Sequence, residues 1–330
     1  MQSQLEFINE YIPSDFNVSK CSIPNKALFQ TSDYMKFAQE IYDSCQFDSF
    51  DEQRFLNILL QCTVEDMCKV NHAFLACYGC SISSCITKDC NTNFEKVILG
   101  SVQNRYAFWA TQIHDTLYQS RVDTHSLGDL IVMADTLDMQ AINSEYKNLY
   151  SKEVHTDIYD SISKDSCCAR FLRAWCNQER SPRNSYDFDA ESLHKALNDS
   201  YIHEDVLITM FCTTTPCEFR DICEFYQRKY GKTLRETLTH QFSSMTENVC
   251  LLAHDYLMDP SNGCAYVIFH SLKCEYNKSR RMINLTVLFR DRYSQFTNRW
   301  YQIYGNLKHD LRINGDGWNE NVLSQLWNSQ

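Results

Sequence analysis

The residues best equipped for chemistry in this chain are its cysteines, of which there are 17. Cys77, Cys80, Cys85 and Cys90 fall at the spacing of a zinc knuckle with Cys in place of the usual His. Four thiolates can hold tetrahedral zinc, and knuckles of this kind often bind single-stranded nucleic acid. Against that reading, Ile82 and Ile86 lie inside the segment at helical spacing, and a knuckle would break their stripe. The helical reading is preferred, with no bound zinc. Ten histidines pair with no nucleophile at a recognised spacing. His254-Asp255 and His309-Asp310 read as exposed contacts on helices rather than catalytic dyads. Only 8 glycines are present, and none forms a phosphate-binding loop. No active site emerges, so the chain is read as a non-enzyme.

The elements that would position any site repeat along the chain. An aromatic residue followed four positions later by Tyr occurs at Phe74/Tyr78, Tyr146/Tyr150, Tyr226/Tyr230 and Trp300/Tyr304. The tyrosines are separated by steps of 72, 80 and 74 residues. Beyond each lies an apolar pair one helical turn apart: Ile82/Ile86, Val154/Ile158, Leu234/Leu238 and Leu307/Leu311. Upstream, Phe55, Leu127, Leu207 and Ile283 hold matching places. Residues four apart share one helix face. The apolar spacing from Phe37 to Ile98 fits five short amphipathic helices, and the set recurs four times.

Composition agrees. The 330 residues are 44% hydrophobic and 22% charged, which suits an ordered chain with a sizeable core. Few glycines and only 5 prolines argue against a strand-and-turn protein. The net charge of −11 disfavours nucleic acid as a partner, and disfavours unaided binding to an anionic membrane. No apolar run approaches a membrane span, and the polar opening Met1-Gln-Ser-Gln-Leu-Glu lacks a signal-peptide pattern. The cysteines are therefore expected to be reduced, in a cytoplasmic setting.

Four units of five helices, each with its Tyr at a helix boundary, resemble the annexin fold. The resemblance is carried by Phe74-Leu-Ala-Cys-Tyr-Gly79, Tyr146-Lys-Asn-Leu-Tyr150, Tyr226-Gln-Arg-Lys-Tyr-Gly231, Trp300-Tyr-Gln-Ile-Tyr-Gly305 and Asn93-Phe-Glu-Lys-Val-Ile98. It covers roughly residues 33 to 327. In its divergence the chain is similar to the alpha-giardins, annexin-like proteins of a flagellate parasite. The resemblance implies an all-α protein of four annexin-like repeats packed as a curved disc. The expected division is a head over 1–32, repeats over 33–102 and 105–176, a linker over 177–187, and repeats over 188–258 and 260–327.

It also implies a chemistry. In annexins a Gly-x-Gly-Thr loop between the first two helices of a repeat, with a carboxylate about forty residues later, binds calcium that bridges to phospholipid. Calcium is a hard cation that takes six to eight oxygens. The matched loops here are Phe47-Asp-Ser-Phe50, Gln119-Ser-Arg-Val122, Asp199-Ser-Tyr-Ile202 and Glu275-Tyr-Asn-Lys278, and none contains glycine. Left-handed backbone is costly without Gly. The distal acid is present as Asp89 in unit one, but its place is taken by Ser161, Gln241 and Asn314 in the others. The resemblance thus points to a single weak calcium site in unit one. Its ligands would be Asp89 with the carbonyls of Cys45, Phe47 and Ser49, and Glu52 with the Phe50 carbonyl for a looser ion. Asp48, Asp51 and Glu95 are acids beside it. The basic and acidic positions of the annexin channel correspond to Ala134 and Trp109, so ion conduction is not expected. The function implied is peripheral binding to acidic phospholipid membranes with degenerate calcium sites, linking membrane to cytoskeleton. The alternative is a helical scaffold for cytoskeletal or other proteins that has lost calcium and lipid binding.

Overall fold

The computed structural model describes residues 30–45, 50–86, 92–163, 166–177, 179–239, 241–242, 244–273, 278–314 and 320–328. Among them there are twenty α-helices, one turn of 3-10 helix and no strand. In order they are α1 (Thr31–Ser44), α2 (Glu52–Gln61), α3 (Val64–Tyr78), α4 (Ile82–Ile86) and α5 (Asn93–Ser101). Next come α6 (Arg105–Leu117), α7 (Thr124–Val132), α8 (Thr136–Tyr150), α9 (Val154–Ser161) and α10 (Cys167–Cys176). Then follow α11 (Tyr186–Asn198), α12 (Glu204–Thr213), α13 (Pro216–Tyr230), α14 (Leu234–Leu238) and α15 (Ser244–Met258). The last are α16 (Pro260–Lys273), α17 (Lys278–Leu288), α18 (Tyr293–Ile303), α19 (Leu307–Asn314) and α20 (Glu320–Asn328).

The described residues fall into two compact units. One comprises those up to Arg105 together with Thr286–Asp291 and those after Gly317; the other comprises Tyr106–Leu285 with Arg292–Asp316. In the first, α1 lies on α3 and α2, and α20 returns against α2. In the second, α15 is surrounded by α16, α7, α13, α14 and α10. That enclosure buries Val249 through Ala253 and also the polar residues His254 and Asp255.

Local chemistry sets the helix boundaries. The third helix of the first three sets opens on a capping side chain: Thr63, Asp135 and Thr215 accept hydrogen bonds from the backbone N–H of Asp66, Asp138 and Glu218. Such caps satisfy one of the orphan donors at a helix start, and each contributes about 1 kcal/mol. The predicted stripe is buried throughout. Phe74, Tyr146, Tyr226 and Trp300 are at most 1% exposed, and all eight residues of the downstream apolar pairs are buried.

The same helices end alike. Gly79, Ser151, Gly231 and Gly305 all have positive φ, at 70°, 56°, 71° and 92°. Just before each, the tyrosine ring stacks on a ring of the set's first helix: Tyr42 on Tyr78, His114 on Tyr150, His194 on Tyr230 and Phe269 on Tyr304. The connector after α10 is tied down as well. Arg180 donates to the carbonyls of Phe211 and Thr214, and its guanidinium lies over Trp175.

Ser151 alone adopts the left-handed conformation at this turn with a Cβ, which is unfavourable for an L-residue. Ser151→Gly is expected to stabilise the fold by about 0.5–1 kcal/mol after the extra unfolded-state freedom of glycine is counted. Urea denaturation checks it, and a lower midpoint for the variant would contradict the strain.

Candidate functional site

The loops between the first and second helices share one closure. The backbone N–H of Asp51, Asp123 and His203 donates to the carbonyls of Ser44, Thr116 and Ala196, at 3.4, 3.2 and 3.1 Å. Each bond spans seven residues, so the three loops close in the same register without glycine. Ser44 and Thr116 add a hydroxyl bond back to Ile41 and Ile113, at 2.7 Å each.

In the first loop Cys45, Phe50 and Glu52 are described, while Phe47, Ser49, Asp48 and Asp89 lie outside the described residues. Cys45 ends α1, and burial pushes its thiol up. The Phe50 carbonyl accepts from the Glu52 N–H at 3.1 Å, and the Phe50 ring packs on Phe55. A carbonyl has two lone pairs, so that bond leaves one for an ion. Asp51 is engaged as an N-cap, accepting from Arg54 N–H at 3.0 Å. Glu52 is half-buried, and its carboxyl is raised above the usual range by burial and then by the charge of Glu95. Glu95 sits in the first turn of α5, in a reciprocal cap with Thr92.

The corresponding positions elsewhere carry different chemistry. In the second loop the place of Glu52 is Thr124, whose hydroxyl lies 2.9 Å from the Met245 sulfur. In the third it is Glu204, and Arg170 pairs with both Glu204 and Asp205. Asp199 of that loop bonds His203 at 3.1 Å, which lowers its carboxyl pKa. Tyr201, at the loop tip, is 84% exposed. Ser161 closes α9, replacing a carboxylate by a hydroxyl. Among the described residues no three His, Cys, Asp or Glu side chains converge to hold a metal.

The zinc-knuckle spacing does not assemble among the described residues. Cys80 and Cys85 approach to 3.5 Å, Cys77 is exposed, and Ile82 and Ile86 are buried as the helical reading requires. Cys90 lies outside the described residues. Eight of the fourteen described cysteines are buried, where free Cys behaves as a small hydrophobe. At the channel positions, Trp109 and Ala134 are buried, with the Trp109 indole N–H on the Leu130 carbonyl at 2.9 Å.

One sequence expectation is corrected. His254-Asp255 is buried rather than exposed, because α15 is enclosed by other helices on several sides. His254 lies 2.9 Å from Asp255 and 3.9 Å from the Cys223 sulfur. The order Cys–His–Asp imitates a nucleophilic triad, but the Cys223 thiol is pushed up to about 12 by burial and is shielded from solvent. Arg235 also grips the Asp255 carboxylate in a fork, at 2.8 and 3.0 Å. The cluster is a buried polar joint. His309, by contrast, is exposed.

A sequence profile of the annexin family matches residues 36–100 and 188–253. Giardin subunit alpha-4 of Giardia intestinalis is 26% identical over 267 residues, which is 80% of this chain and 88% of that one. Annexin E1 of the same organism is 22% identical over 80% of each chain. Among solved structures, calcium-bound alpha-14 giardin superposes with a TM-score of 0.82 at 20% identity, covering 89% of this chain and 99% of that one. Annexin III gives 0.80 at 16% identity, covering 94% and 97%. The chain is thus similar to the annexin family over two segments and has the annexin fold.

The second unit also holds a buried ion pair absent from the sequence reading. Arg281 donates twice to Asp129, at 2.5 and 2.9 Å, while burial pushes the Asp129 carboxyl up against that attraction. Arg281→Met is expected to cost about 3–5 kcal/mol, because it leaves an uncompensated buried carboxylate. Asp129→Asn combined with Arg281→Met should recover much of the loss. Equal losses in the single and double variants, read by urea denaturation, would contradict the pairing.

Proposed function

We propose that this annexin-like protein is a peripheral binder of acidic phospholipid membranes whose calcium response is confined to unit one. The repeat limits 33–102, 105–176, 188–258 and 260–327 belong to the same reading. The observation that carries it is the contrast at one matched position. Glu52 faces another acid, Thr124 is uncharged, and Glu204 is already neutralised by Arg170. A hard cation relieves the Glu52–Glu95 repulsion and finds only oxygen donors there: two carboxylates, the Phe50 carbonyl and water. Asp89 with the carbonyls of Cys45, Phe47 and Ser49 would hold the main ion, and Glu52 with the Phe50 carbonyl a second, looser one. Tightness follows ligand charge and rigidity, so two acids and a glycine-free loop give a weak site. The calcium-bound alpha-14 giardin and alpha-1 giardin structures support calcium as the ion.

One observation favours a second reading, a helical scaffold for cytoskeletal or other proteins without calcium or lipid binding. The third loop consumes its own charges in the Asp199–His203 and Arg170–Glu204 pairs, leaving no acid free to recruit an ion.

Sedimentation with phosphatidylserine vesicles separates the two. Association is expected only at elevated calcium, weakened by Asp89→Ala and by Glu52→Gln, and unchanged by Thr124→Ala. Strong binding without calcium would contradict the unit-one site, and no binding under any condition would leave the scaffold reading.

A pH test follows from Glu52. Its folded carboxyl titrates above the ordinary value of 4.5, so the penalty it imposes is absent below that value. The penalty grows as pH rises through the folded pKa. Without calcium, the thermal midpoint of Glu52→Gln should exceed that of the parent by a gap that opens as pH rises from 4.5 through the raised folded pKa and then levels off. Added calcium should narrow the gap. A pH-independent difference would contradict the acid pair.

A further inference from the structure

The turn after the third helix brings together two residues five positions apart. Following the left-handed Ser151, Lys152 reaches Asp157 with a nitrogen–oxygen distance of 2.6 Å. After the left-handed Gly79, the residues at the same two places are Cys80 and Cys85, whose sulfurs stand 3.5 Å apart. After Gly231 the places hold Lys232 and Thr237. The backbone thus brings these positions together in two of the three turns, and in unit one both are thiols. Cys80 and Cys85 are half-buried. A small oxidant can therefore reach them, unlike the eight cysteines enclosed in the core. Cys77 and Cys217 are exposed.

We propose that Cys80 and Cys85 form a redox-active dithiol that closes reversibly to an intramolecular disulfide. The oxidant is a peroxide or a low-molecular-weight disulfide. With a peroxide, one thiolate attacks the O–O bond, becomes a sulfenic acid and releases water, or an alcohol from an organic peroxide. The second thiol then attacks that sulfur, forms the S–S bond and releases water. The two sulfurs together lose two electrons and two protons, and the peroxide gains them. With a disulfide oxidant, two exchange steps release two equivalents of its thiol. A disulfide needs sulfurs about 2.05 Å apart, so the pair closes through side-chain rotation of roughly 1.5 Å across a turn that already holds them in contact. The bond would pin the C-terminal end of α4, at Cys85, to the residue that follows Gly79. This inference does not depend on calcium or lipid.

The test uses the full reduced chain, titrated with oxidised glutathione and separately with hydrogen peroxide. Remaining thiols are blocked with N-ethylmaleimide, and peptides are read by mass spectrometry. The expected result is a Cys80–Cys85 peptide lighter by two hydrogens. It should appear before Cys77 or Cys217 is consumed, revert with dithiothreitol, and persist in Cys45→Ser. In Cys80→Ser, with a circular dichroism spectrum matching the parent, Cys85 should instead carry glutathione or maleimide. The proposal is overturned if Cys80 and Cys85 both carry maleimide at oxidant levels that consume Cys77. It is equally overturned if Cys80 is bonded to Cys45 or Cys90, or if the reduced chain retains zinc that Cys80→Ser releases.

Discussion

Each set of helices depends on a joint between the rings of its first and third helices. The centroids are 3.9, 3.8, 3.6 and 4.6 Å apart in the four cases, and the planes are within 14°. Aromatic pairs contribute about 0.5–1.5 kcal/mol beyond the area they bury. Their larger effect here is positional. The joint fixes the end of the first helix beside the end of the third, and the next residue turns the chain through positive φ. In unit one this places Cys45, just past Tyr42, within electrostatic reach of Cys80 and Cys85, just past Tyr78. The inter-helix loop and the turn after the third helix are set by that one contact.

Once the joint is made, loop shape no longer requires glycine. The seven-residue backbone closure recurs in three loops whose sequences have little in common. Charge then distinguishes them. The third loop spends its acids on Arg170 and His203, whereas Glu52 stands against Glu95 and is partly desolvated. The same loop closure thus recurs in three places while a carboxylate opposed by a like charge is found at one of them. The turns behave similarly, carrying an ion pair at Lys152–Asp157 and a thiol pair at Cys80–Cys85.

Much of the fold was legible because its determinants are local or periodic. The aromatic-to-Tyr spacing marked the buried position and the stacked ring in all four sets, and the apolar pairs marked the short fourth helices. Ser151 was placed in register with the glycines by spacing alone. The site was less legible because its electrostatics come from residues distant in sequence. Arg170 and Glu204 are 34 residues apart, and Glu52 and Glu95 are 43 apart; no window reveals that one carboxylate is paired and the other opposed. His254-Asp255 misled for a related reason. An adjacent polar pair on a helix reads as solvated, but α15 is packed on several sides and meets Cys223 and Arg235 instead. The Cys80–Cys85 contact hid behind a knuckle spacing, since the turn brings only positions five apart together.

The like charge of Glu95 beside the half-buried Glu52 is the feature proposed to draw a cation. The most direct test is a crystal soaked in calcium or a lanthanide, with anomalous scattering locating the ions. The account predicts a peak beside Glu52 and the Phe50 carbonyl, and none at Thr124 or at the Arg170-paired Glu204. A peak in the third loop with none in the first would contradict it.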